Sequence, residues 1–550
     1  MNRQNEVMVV FVLAASAFLL LSAATALRPG RRGFFATLAF PVGWAAGELA
    51  GQAIAVELAL LGLLYWVGWP RTHWLSIAVL AVAGVVVAEN LALIGILLRS
   101  RTTVRRALED TADRPLVALR ARDDVFGHWW RTALQVPFHP RDMQLLRGLA
   151  YGPLDRHRLD LWRLSTTPKD APVVFYLHGG AWTFGDKREQ GRPMLHEFVT
   201  RGWVVVASNY RLAPRHPWPA QIEDATRALG WIKKNVATYG GDPERVVVAG
   251  GSAGGHLAAL LALTANDPTW RPQDMGDVAD WSVRGAMSFY GVLEMTGDEA
   301  QWRGVGKGIR RLLERRVVQL PFEGNESLYR ALSPFERIGV DSPPFFVVQG
   351  VNDTLVEVNV ARCFVEKFRR TAFSPIYYVE LPFTQHAFDL TASPRTSATT
   401  RAAIAFAESV ARARPALTPA LVASYQVPPT RLGVEVDGYL WLEAREAAGE
   451  IGPFFVLTSD NPYSVPLTRE RNEARRGQLR ALLAGRGIKY LEAAGRDPLH
   501  RWPDELGVAL VGLSNAEARA LAFAWDQFAF YDVTADRVTV RDAATGRVLS

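Results

Sequence analysis

The sequence predicts an α/β protein: a mostly parallel sheet flanked by helices, preceded by transmembrane helices and followed by a small α/β domain. Three observations support this prediction. The first hundred residues are almost continuously apolar. Short β-branched or aromatic runs then alternate with helical patterns, which is typical of strand-helix units that build a parallel sheet. Beyond a proline-containing stretch at 414–430, a shorter alternation of strands and helices follows.

The chain of 550 residues is long enough for several domains. We expect a transmembrane region at 1–99, a linker with a cap at 100–145, a central domain at 146–413, a second linker at 414–430 and a small α/β domain at 431–550. The net charge of +7 comes from scattered arginines without a basic, aromatic-lined stripe, so we expect no nucleic-acid partner. The single cysteine, Cys363, excludes an internal disulfide and a cysteine-based metal cluster.

Three stretches in the first hundred residues have the length and apolarity of membrane spans, at about 7–27, 43–67 and 74–98. Polar residues interrupt the second and third stretches, among them Glu48, Gln52, Glu57 and Glu89. Because ionisable groups are costly in lipid, they form either a functional intramembrane site or hydrogen bonds between helices. The sequence leaves both interpretations open.

Arginines flank these spans unequally. With three spans, one side of the membrane has only Arg3 and Arg71. The other side collects Arg28, Arg31, Arg32, Arg99, Arg101, Arg105 and Arg106. Because positively charged loops stay in the cytoplasm, we expect a multi-pass membrane protein whose central domain is cytoplasmic. The alternative is a cleaved signal peptide, since Ala24-Thr25-Ala26 resembles a cleavage site.

The central domain opens with an alternating edge strand at 157–162, followed by short buried strands. These are predicted at 173–177, 204–207, 246–249, 286–289, 345–348 and 376–380. Helices are predicted between most of them, at 189–200, 219–239, 254–265 and 358–371. In such a sheet, active residues belong at the carboxyl ends of the strands.

The most informative feature is a serine in a glycine-lined turn between the strand at 246–249 and the following helix. The turn reads Gly250-Gly251-Ser252-Ala253-Gly254. Small neighbours let strand and helix close around a strained serine whose hydroxyl stays exposed, which predicts that Ser252 is a nucleophile. The strand at 173–177 runs into a second glycine turn, so the amides of Gly179, Gly180 and Ala253 are predicted to form an oxyanion hole.

A serine nucleophile needs a base and an orienting carboxylate, which follow it in the chain order Ser, Asp, His. Asp353 lies on the loop after the strand at 345–348, and His386 lies on the loop after the strand at 376–380. Neighbouring loops let the two side chains meet. Asp389 is a rival orienter, but its closeness to His386 in sequence favours a cap or surface role.

Several motifs between about 150 and 412 carry a family resemblance. They are His178-Gly179-Gly180-Ala181-Trp182, Asn209-Tyr210-Arg211-Leu212-Ala213-Pro214, His216-Pro217-Trp218-Pro219-Ala220, Gly241-Asp242-Pro243 and the serine turn. Together they resemble the carboxylesterase and hormone-sensitive-lipase-like branch of the α/β hydrolases. The turn at 178–187 is also similar to isoprenylcysteine methylesterases and kynurenine formamidases. The resemblance implies a structural brace for the Tyr210 segment and a loop-orienting role for His178.

These features predict a membrane-anchored serine hydrolase that cleaves small-molecule or lipid esters, including prenyl-type esters, through an acyl-enzyme on Ser252. We expect no metal and no cofactor. Two insert-like segments, at 115–150 and 293–335, are expected to form a cap. Amidase, peptidase or acyltransferase chemistry with the same triad remains open, as does a catalytically silent membrane scaffold. The sequence does not predict the oligomeric state.

The C-terminal domain has strand patterns at 454–457, near Tyr490, at 508–511 and at 536–540, with helices at 470–483 and 516–530. A small split βαβ sandwich fits this order. The domain resembles a small uncharacterised bacterial domain usually found alone. Asn461, Asn472 and Gln527 are candidates for a polar ligand site, but turn formation and capping explain them as well, and we favour the structural interpretation.

Overall fold

The computed structural model describes residues 3–29, 33–68, 73–109, 142–265, 267–276, 278–412, 431–436, 440–496 and 504–549. Four apolar helices come first in the chain. They are α1 (Arg3–Leu27), α2 (Gly33–Glu48), α3 (Ala50–Gly68) and α4 (His73–Glu109). Two of them, α1 and α4, contain apolar stretches long enough to cross a membrane.

Helices α1, α3 and α4 form an apolar bundle. Near one end, Val9 and Val12 of α1 pack with Leu64 of α3 and Val79 of α4. Near the other end, Ala23 and Ala26 of α1 pack with Ala46 of α2, Ala50 of α3 and Leu93 of α4. Helix α3 therefore runs antiparallel to α1 and α4. The C-terminal end of α1, the start of α3 and the second half of α4 lie on the same side of the bundle.

The predicted span at 43–67 is not one straight helix, because the helix is interrupted at Leu49. The segments on either side, Ala39–Glu48 and Ala50–Trp66, are bent by 85°. Within the bundle, the Ser16 hydroxyl donates to the Glu57 carboxylate at 2.9 Å. Glu57 is thus held by a hydrogen bond between helices, one of the two roles left open by the sequence.

Helix α4 continues past the predicted end of the span at Leu98 as far as Glu109. Its last turns carry Val104 and Leu108, which are buried against the central domain. The start of the predicted linker at 100–145 is therefore a helix docked on the next domain. The predicted cap at 115–150 falls mostly on residues outside those described, and its last part, from Met143, is a strand.

The central domain is an eight-stranded sheet. Its strands are β1 (Met143–Ala150), β2 (Arg158–Leu164), β3 (Ala171–Leu177), β4 (Val204–Ser208), β5 (Gly241–Gly251), β6 (Gly285–Phe289), β7 (Phe345–Gly350) and β8 (Ile376–Leu381). The spatial order is β1-β2-β4-β3-β5-β6-β7-β8. The pairs β1 with β2 and β2 with β4 are antiparallel, and the remaining pairs are parallel. All predicted strands are present, but the predicted edge strand at 157–162 is wrong in its place: β2 lies inside the sheet, because the unpredicted strand β1 pairs with its outer side and forms the edge.

Helices cover both faces of this sheet. They are α5 (Arg192–Thr200), α6 (Ala220–Asn235), α7 (Ala253–Thr264), α8 (Gly306–Leu312), α9 (Glu326–Ala331), α10 (Val358–Thr371) and α11 (Pro394–Val410). Alternate strand residues point to opposite faces. Phe175 belongs to the core beneath α6, α7 and α10, whereas Val174 belongs to the core beneath α5, α11 and the end of α4.

The C-terminal domain is an antiparallel seven-stranded sheet. Its strands are β9 (Arg431–Val436), β10 (Leu440–Glu443), β11 (Phe454–Thr458), β12 (Tyr490–Arg496), β13 (Glu505–Val511), β14 (Ala529–Val533) and β15 (Val538–Asp542). Its helices are α12 (Ala444–Ile451), α13 (Arg469–Gly485) and α14 (Asn515–Ala524). The order is β10-β9-β12-β13-β11-β14-β15, in which β12-β13-β11-β14 has the arrangement of a split βαβ unit. The predicted helix at 516–530 is too long, because Asp526 takes a positive φ of 58° and β14 begins at Ala529.

The two α/β domains touch through Arg486 and Phe373. Phe373 of the central domain joins the buried apolar cluster of the C-terminal domain. The Arg486 guanidinium lies 4.8 Å from the centre of the Phe373 ring and donates to the Arg369 carbonyl at 3.0 Å. These contacts join the end of α10 to the end of α13.

Candidate active site

Ser252 lies in a sharp turn between β5 and α7. Its backbone has φ 56° and ψ −122°, a strained conformation for a residue with a side chain. The turn closes tightly: a Cβ at Gly254 would lie 2.0 Å from the Leu177 carbonyl oxygen, so only glycine fits there. The Ser252 amide donates to the Phe289 carbonyl at 2.9 Å, which fixes the turn against β6. The serine is thus presented at the carboxyl edge of the sheet.

Asp353 and His386 meet at the same edge, on the loops after β7 and β8. The His386 Nδ1 lies 2.7 Å from Asp353 Oδ2, and both side chains are buried. Asp353 also accepts from the amides of Leu355 and Val356, each at 2.8 Å, and from Gln349 Nε2 at 2.9 Å. With four donors around its two oxygens, the carboxylate is held rigidly and orients the imidazole. Nδ1 then carries the proton, and Nε2 is left to accept one.

The rival acid, Asp389, has a different partner. It accepts a short hydrogen bond from the Tyr290 hydroxyl. Burial raises the pKa of Asp389 to about 6. The ring of Tyr290 lies 4.7 Å from the His386 ring, and a Cβ at Gly251 would lie 2.7 Å from the Tyr290 hydroxyl. Tyr290 therefore packs between the serine turn and the histidine, with Asp389 behind it.

The glycine turn after β3 faces the serine turn. A Cβ at Gly179 would lie 2.8 Å from the Gly251 carbonyl oxygen and 3.2 Å from Ser252 Cβ. The Gly179 amide is engaged by Gln190 Oε1 at 2.7 Å. Within the described part of the chain, the amides of Gly180 and Ala253 have no hydrogen-bond acceptor. Of the three predicted oxyanion donors, Gly179 approaches the serine and Ala253 directly follows it, and the Gly179 amide has a protein partner.

Two buried histidines nearby have structural partners. His178 Nδ1 lies 2.7 Å from the Gly179 carbonyl, and its ring stacks on Tyr210 at 4.3 Å. His256 accepts from the Trp182 indole at 3.2 Å and faces the Leu332 carbonyl at 2.8 Å. Burial lowers the pKa of each histidine to about 4, so both are neutral at neutral pH. Their contacts fit the loop-orienting role that the resemblance implies for His178.

The segment around Tyr210 forms a brace. The Tyr210 hydroxyl donates to the His178 carbonyl at 2.8 Å, which ties this segment to the glycine turn. The Arg211 guanidinium donates to Asp224 at 2.7 Å, and the buried Asp224 also contacts His157 at 3.0 Å. These bonds hold the loop after β4 against α6, behind the glycine turn.

The second insert-like segment, 293–335, is built into the core of the central domain. Leu313 and Val317, on a π-helical turn after α8, belong to the main apolar cluster. Arg310 donates to the Thr296 carbonyl at 2.8 Å, and its guanidinium lies over the Phe322 ring. The segment therefore packs as part of the domain.

Helix α2 supplies contacts at the site that the sequence did not suggest. The Trp44 indole donates to the Ala387 carbonyl at 3.0 Å, and the Phe40 ring meets His386 edge-on with 5.9 Å between centroids. Glu48 forms a buried ion pair with Arg395 and accepts from the Ser393 hydroxyl at 2.7 Å. No sequence signal links residues so far apart. Gln349, which bonds to Asp353, did have a sequence signal, because it is a polar residue at the end of an otherwise apolar strand.

In the C-terminal domain, the three candidate polar residues bond mainly to one another and to the backbone. The Asn472 amide donates to Asn461 Oδ1 at 2.9 Å, and the Leu467 amide donates to the same oxygen at 3.0 Å. Gln527 donates to the Asp460 carbonyl at 3.1 Å. These bonds agree with the structural interpretation.

The sheet order, the strained serine turn and the acid-histidine pair define an α/β hydrolase. Residues 159–368 match the BD-FAE family, and residues 457–530 match a protein family of unknown function, DUF3293. The chain is 38% identical to the esterase LipC of Mycobacterium tuberculosis over 319 residues, which cover 56% of this chain and 78% of LipC. The chain therefore belongs to the carboxylesterase family of α/β hydrolases.

Two further relatives match shorter regions. The probable carboxylic ester hydrolase LipM of Mycobacterium tuberculosis is 46% identical over 255 residues, which are 46% of this chain and 58% of LipM. The probable isoprenylcysteine alpha-carbonyl methylesterase ICMEL1 of Oryza sativa is 31% identical over 217 residues, which are 38% of this chain and 49% of that protein. The chain thus spans little more than half the length of LipM and about half that of ICMEL1.

Proposed function

We propose that the protein is a membrane-anchored serine hydrolase that cleaves carboxylic esters through an acyl-enzyme on Ser252. The observation that carries the proposal is the 2.7 Å hydrogen bond between His386 and Asp353, at the sheet edge where Ser252 stands in its strained turn. Family membership supports the same reaction class. Asp389 is bonded to Tyr290 and His178 contacts the Gly179 carbonyl, so we assign the role of orienting acid to Asp353 and that of general base to His386.

In the proposed reaction, His386 Nε2 takes the Ser252 hydroxyl proton as Oγ attacks the ester carbonyl. Asp353 stabilises the imidazolium through Nδ1. The amides of Gly180 and Ala253 donate to the developing oxyanion, and Gly179 adds a third donor when the substrate oxygen replaces Gln190 Oε1. His386 then protonates the leaving alcohol. Water, deprotonated by the same histidine, releases the acid and regenerates Ser252.

The membrane part of the proposal is a three-span bundle of α1, α3 and α4, with α2 at the boundary. The end of α1, the start of α3 and the end of α4 all lie towards the hydrolase domain. Asn352 of this domain donates to the Ala26 carbonyl at the end of α1, at 2.8 Å. The arginine-rich side, with Arg28, Arg99 and Arg101, is the same side, which supports a cytoplasmic hydrolase domain.

The reaction is tested with 4-nitrophenyl esters of graded chain length and with matching amides, using the full chain in detergent. We expect the wild type to hydrolyse esters and the Ser252→Ala variant to lose at least 99.9% of this activity, by analogy with other triad enzymes. Hydrolysis of amides in preference to esters would replace the proposal with an amidase. Equal activity of Ser252→Ala would remove Ser252 as the nucleophile.

Topology is tested separately with a reporter fused after Ser550. A fluorescent protein that folds in the cytoplasm should be bright, and a phosphatase that needs the periplasm should be inactive. An active phosphatase fusion together with a non-fluorescent fluorescent-protein fusion would place the hydrolase domain outside the cytoplasm and refute this part of the proposal.

A further inference from the structure

Helix α2 is fixed to the segment that carries His386. The Trp44 indole donates to the Ala387 carbonyl, and the Gln385 amide donates to the Ala39 carbonyl at 3.4 Å. The Glu48 carboxylate at the end of α2 pairs with Arg395, of which only 1% is exposed. Since a buried charge without its partner is costly, this ion pair holds α2 and the start of α11 together.

This attachment brings a membrane-boundary helix to the proposed catalytic histidine. Phe40 lies on α2, one turn before Trp44, and its ring contacts the edge of His386. The chain then bends by 85° at Leu49 into α3, whose exposed side chains include Val56, Leu58 and Trp66. Phe40 therefore links the apolar helices of the bundle to the histidine.

The hydrolase domain adds exposed apolar side chains at the same edge of the sheet. Four large apolar side chains are exposed on the loops after β3, β7 and β8. They are Phe184 (62%), Leu355 (44%), Phe383 (41%) and Leu390 (38%). Because these loops all follow the carboxyl ends of parallel strands, the four residues share the edge that carries Ser252 and His386. We call these four residues the apolar rim. Large apolar side chains exposed around a site can bind an apolar ligand or a membrane.

We propose that Phe40 and the apolar rim bind the long apolar chain of an ester that resides in the bilayer, with Phe40 as a specificity-determining residue. This inference rests on the proposed reaction at Ser252. The ester carbonyl lies at the serine, while its alkyl or prenyl chain passes Phe40 and returns towards the hydrocarbon. The substrate class is thus an amphiphilic ester with one long chain, on either the acyl or the alcohol side.

The test uses the full chain in phosphatidylcholine vesicles with two series of esters. One series varies the acyl group of 4-nitrophenyl esters from butanoyl to dodecanoyl, and the other varies the alcohol of acetate esters over the same lengths. We expect kcat/KM of the wild type to rise with chain length in at least one series. In Phe40→Ala, kcat/KM for the long-chain ester divided by kcat/KM for the short-chain ester should fall about tenfold. The change should come mainly from a higher KM for the long-chain ester, because its apolar contact with the ring is lost.

Two further variants separate specificity from folding. Phe40→Leu keeps an apolar side chain and should restore most of the ratio. Phe383→Ala changes an exposed rim residue and should lower the ratio in the same direction. The control is Phe18→Ala, whose ring on α1 is 61% exposed, and it should leave the ratio unchanged. Titration with a fluorophosphonate corrects every rate for the fraction of active enzyme.

The inference is overturned if the wild type shows no gain with chain length in either series, or if both Phe40→Ala and Phe383→Ala keep the wild-type ratio. The inference is also overturned if both variants lose kcat/KM equally on short and long esters, because such a result gives these residues a structural role only. These outcomes leave the proposed reaction standing when short esters are still cleaved in a Ser252-dependent way. Loss of that dependence would instead refute the reaction.

Discussion

Replacing Asp353 with asparagine is the most discriminating change at the proposed triad. The backbone amides of Leu355 and Val356 both point at Oδ1, so the asparagine must keep its carbonyl oxygen in this position. Its NH₂ group then faces His386 Nδ1, where the carboxylate accepts in the wild type. A donor in this place forces Nδ1 to accept, and the imidazole proton moves to Nε2.

The shifted tautomer removes the general base. With a proton on Nε2, His386 cannot accept the Ser252 proton, although the positions of the side chains barely change. Loss of the correct tautomer in a triad costs about 10⁴ in kcat, which corresponds to about 5 kcal/mol of transition-state stabilisation. The effect on folding should be smaller, because Gln349 can turn its unpartnered Oε1 towards the new NH₂ group.

The assay is steady-state hydrolysis of a short 4-nitrophenyl ester by the full chain between pH 6 and 9, with thermal unfolding of the same samples. We expect a loss of about 10⁴ in kcat, with little change in KM. The matched control is Asp389→Asn, the rival acid on the loop that carries His386, which should lose less than tenfold. A loss below tenfold for Asp353→Asn, or a larger loss for Asp389→Asn, would refute this assignment of the orienting acid.

Three further changes test other parts of the structure. Gly179→Ala puts a Cβ 2.8 Å from the Gly251 carbonyl oxygen and should lower kcat/KM about a hundredfold or more, with an unchanged circular dichroism spectrum. Burial raises the pKa of Asp389 from 3.8 to about 6, so the stability of the wild type relative to Asp389→Asn should fall by about 3 kcal/mol as the pH rises from about 4 to about 6, and then stay level. Glu48→Gln leaves Arg395 buried without its counter-charge and should lower the free energy of unfolding by about 3 kcal/mol.

Each of these predictions has a clear contrary result. Full activity in Gly179→Ala would mean that the glycine turn does not approach the serine. A stability difference that does not vary between pH 4 and 6 would contradict the buried, weakly acidic Asp389. For Glu48→Gln, the control is Glu109→Gln, whose side chain is half exposed, and equal effects of the two variants would contradict a specific ion pair.

The sequence predicts most of the central domain because its signals are local. Each buried strand is a short run of β-branched or aromatic residues, so the predicted strand at 345–348 differs from the observed β7 by two residues. The meeting of Asp353 and His386 follows from neighbouring strands, since Val348 pairs with Val379. Chain order and a parallel sheet are enough to bring the two loops together.

What the sequence could not predict depends on contacts between distant residues. The break at Leu49 lies within a largely apolar stretch, and Glu48 beside it pairs with Arg395, 347 positions later. The extension of α4 to Glu109 is stabilised by Val104 and Leu108 on the hydrolase core. The engagement of Gly179 by Gln190 likewise has no local signal, because the glutamine lies in an ordinary polar loop.

The central claim, that Ser252 is the nucleophile of an ester hydrolase, is tested most directly by trapping the acyl-enzyme. The full chain is quenched in acid a few milliseconds after mixing with a chromogenic ester, and its peptides are analysed by mass spectrometry. We expect the acyl group on the peptide that contains Ser252, and none on the same peptide from Ser252→Ala. An acyl group on another residue, or turnover without any acylated peptide, would contradict the account.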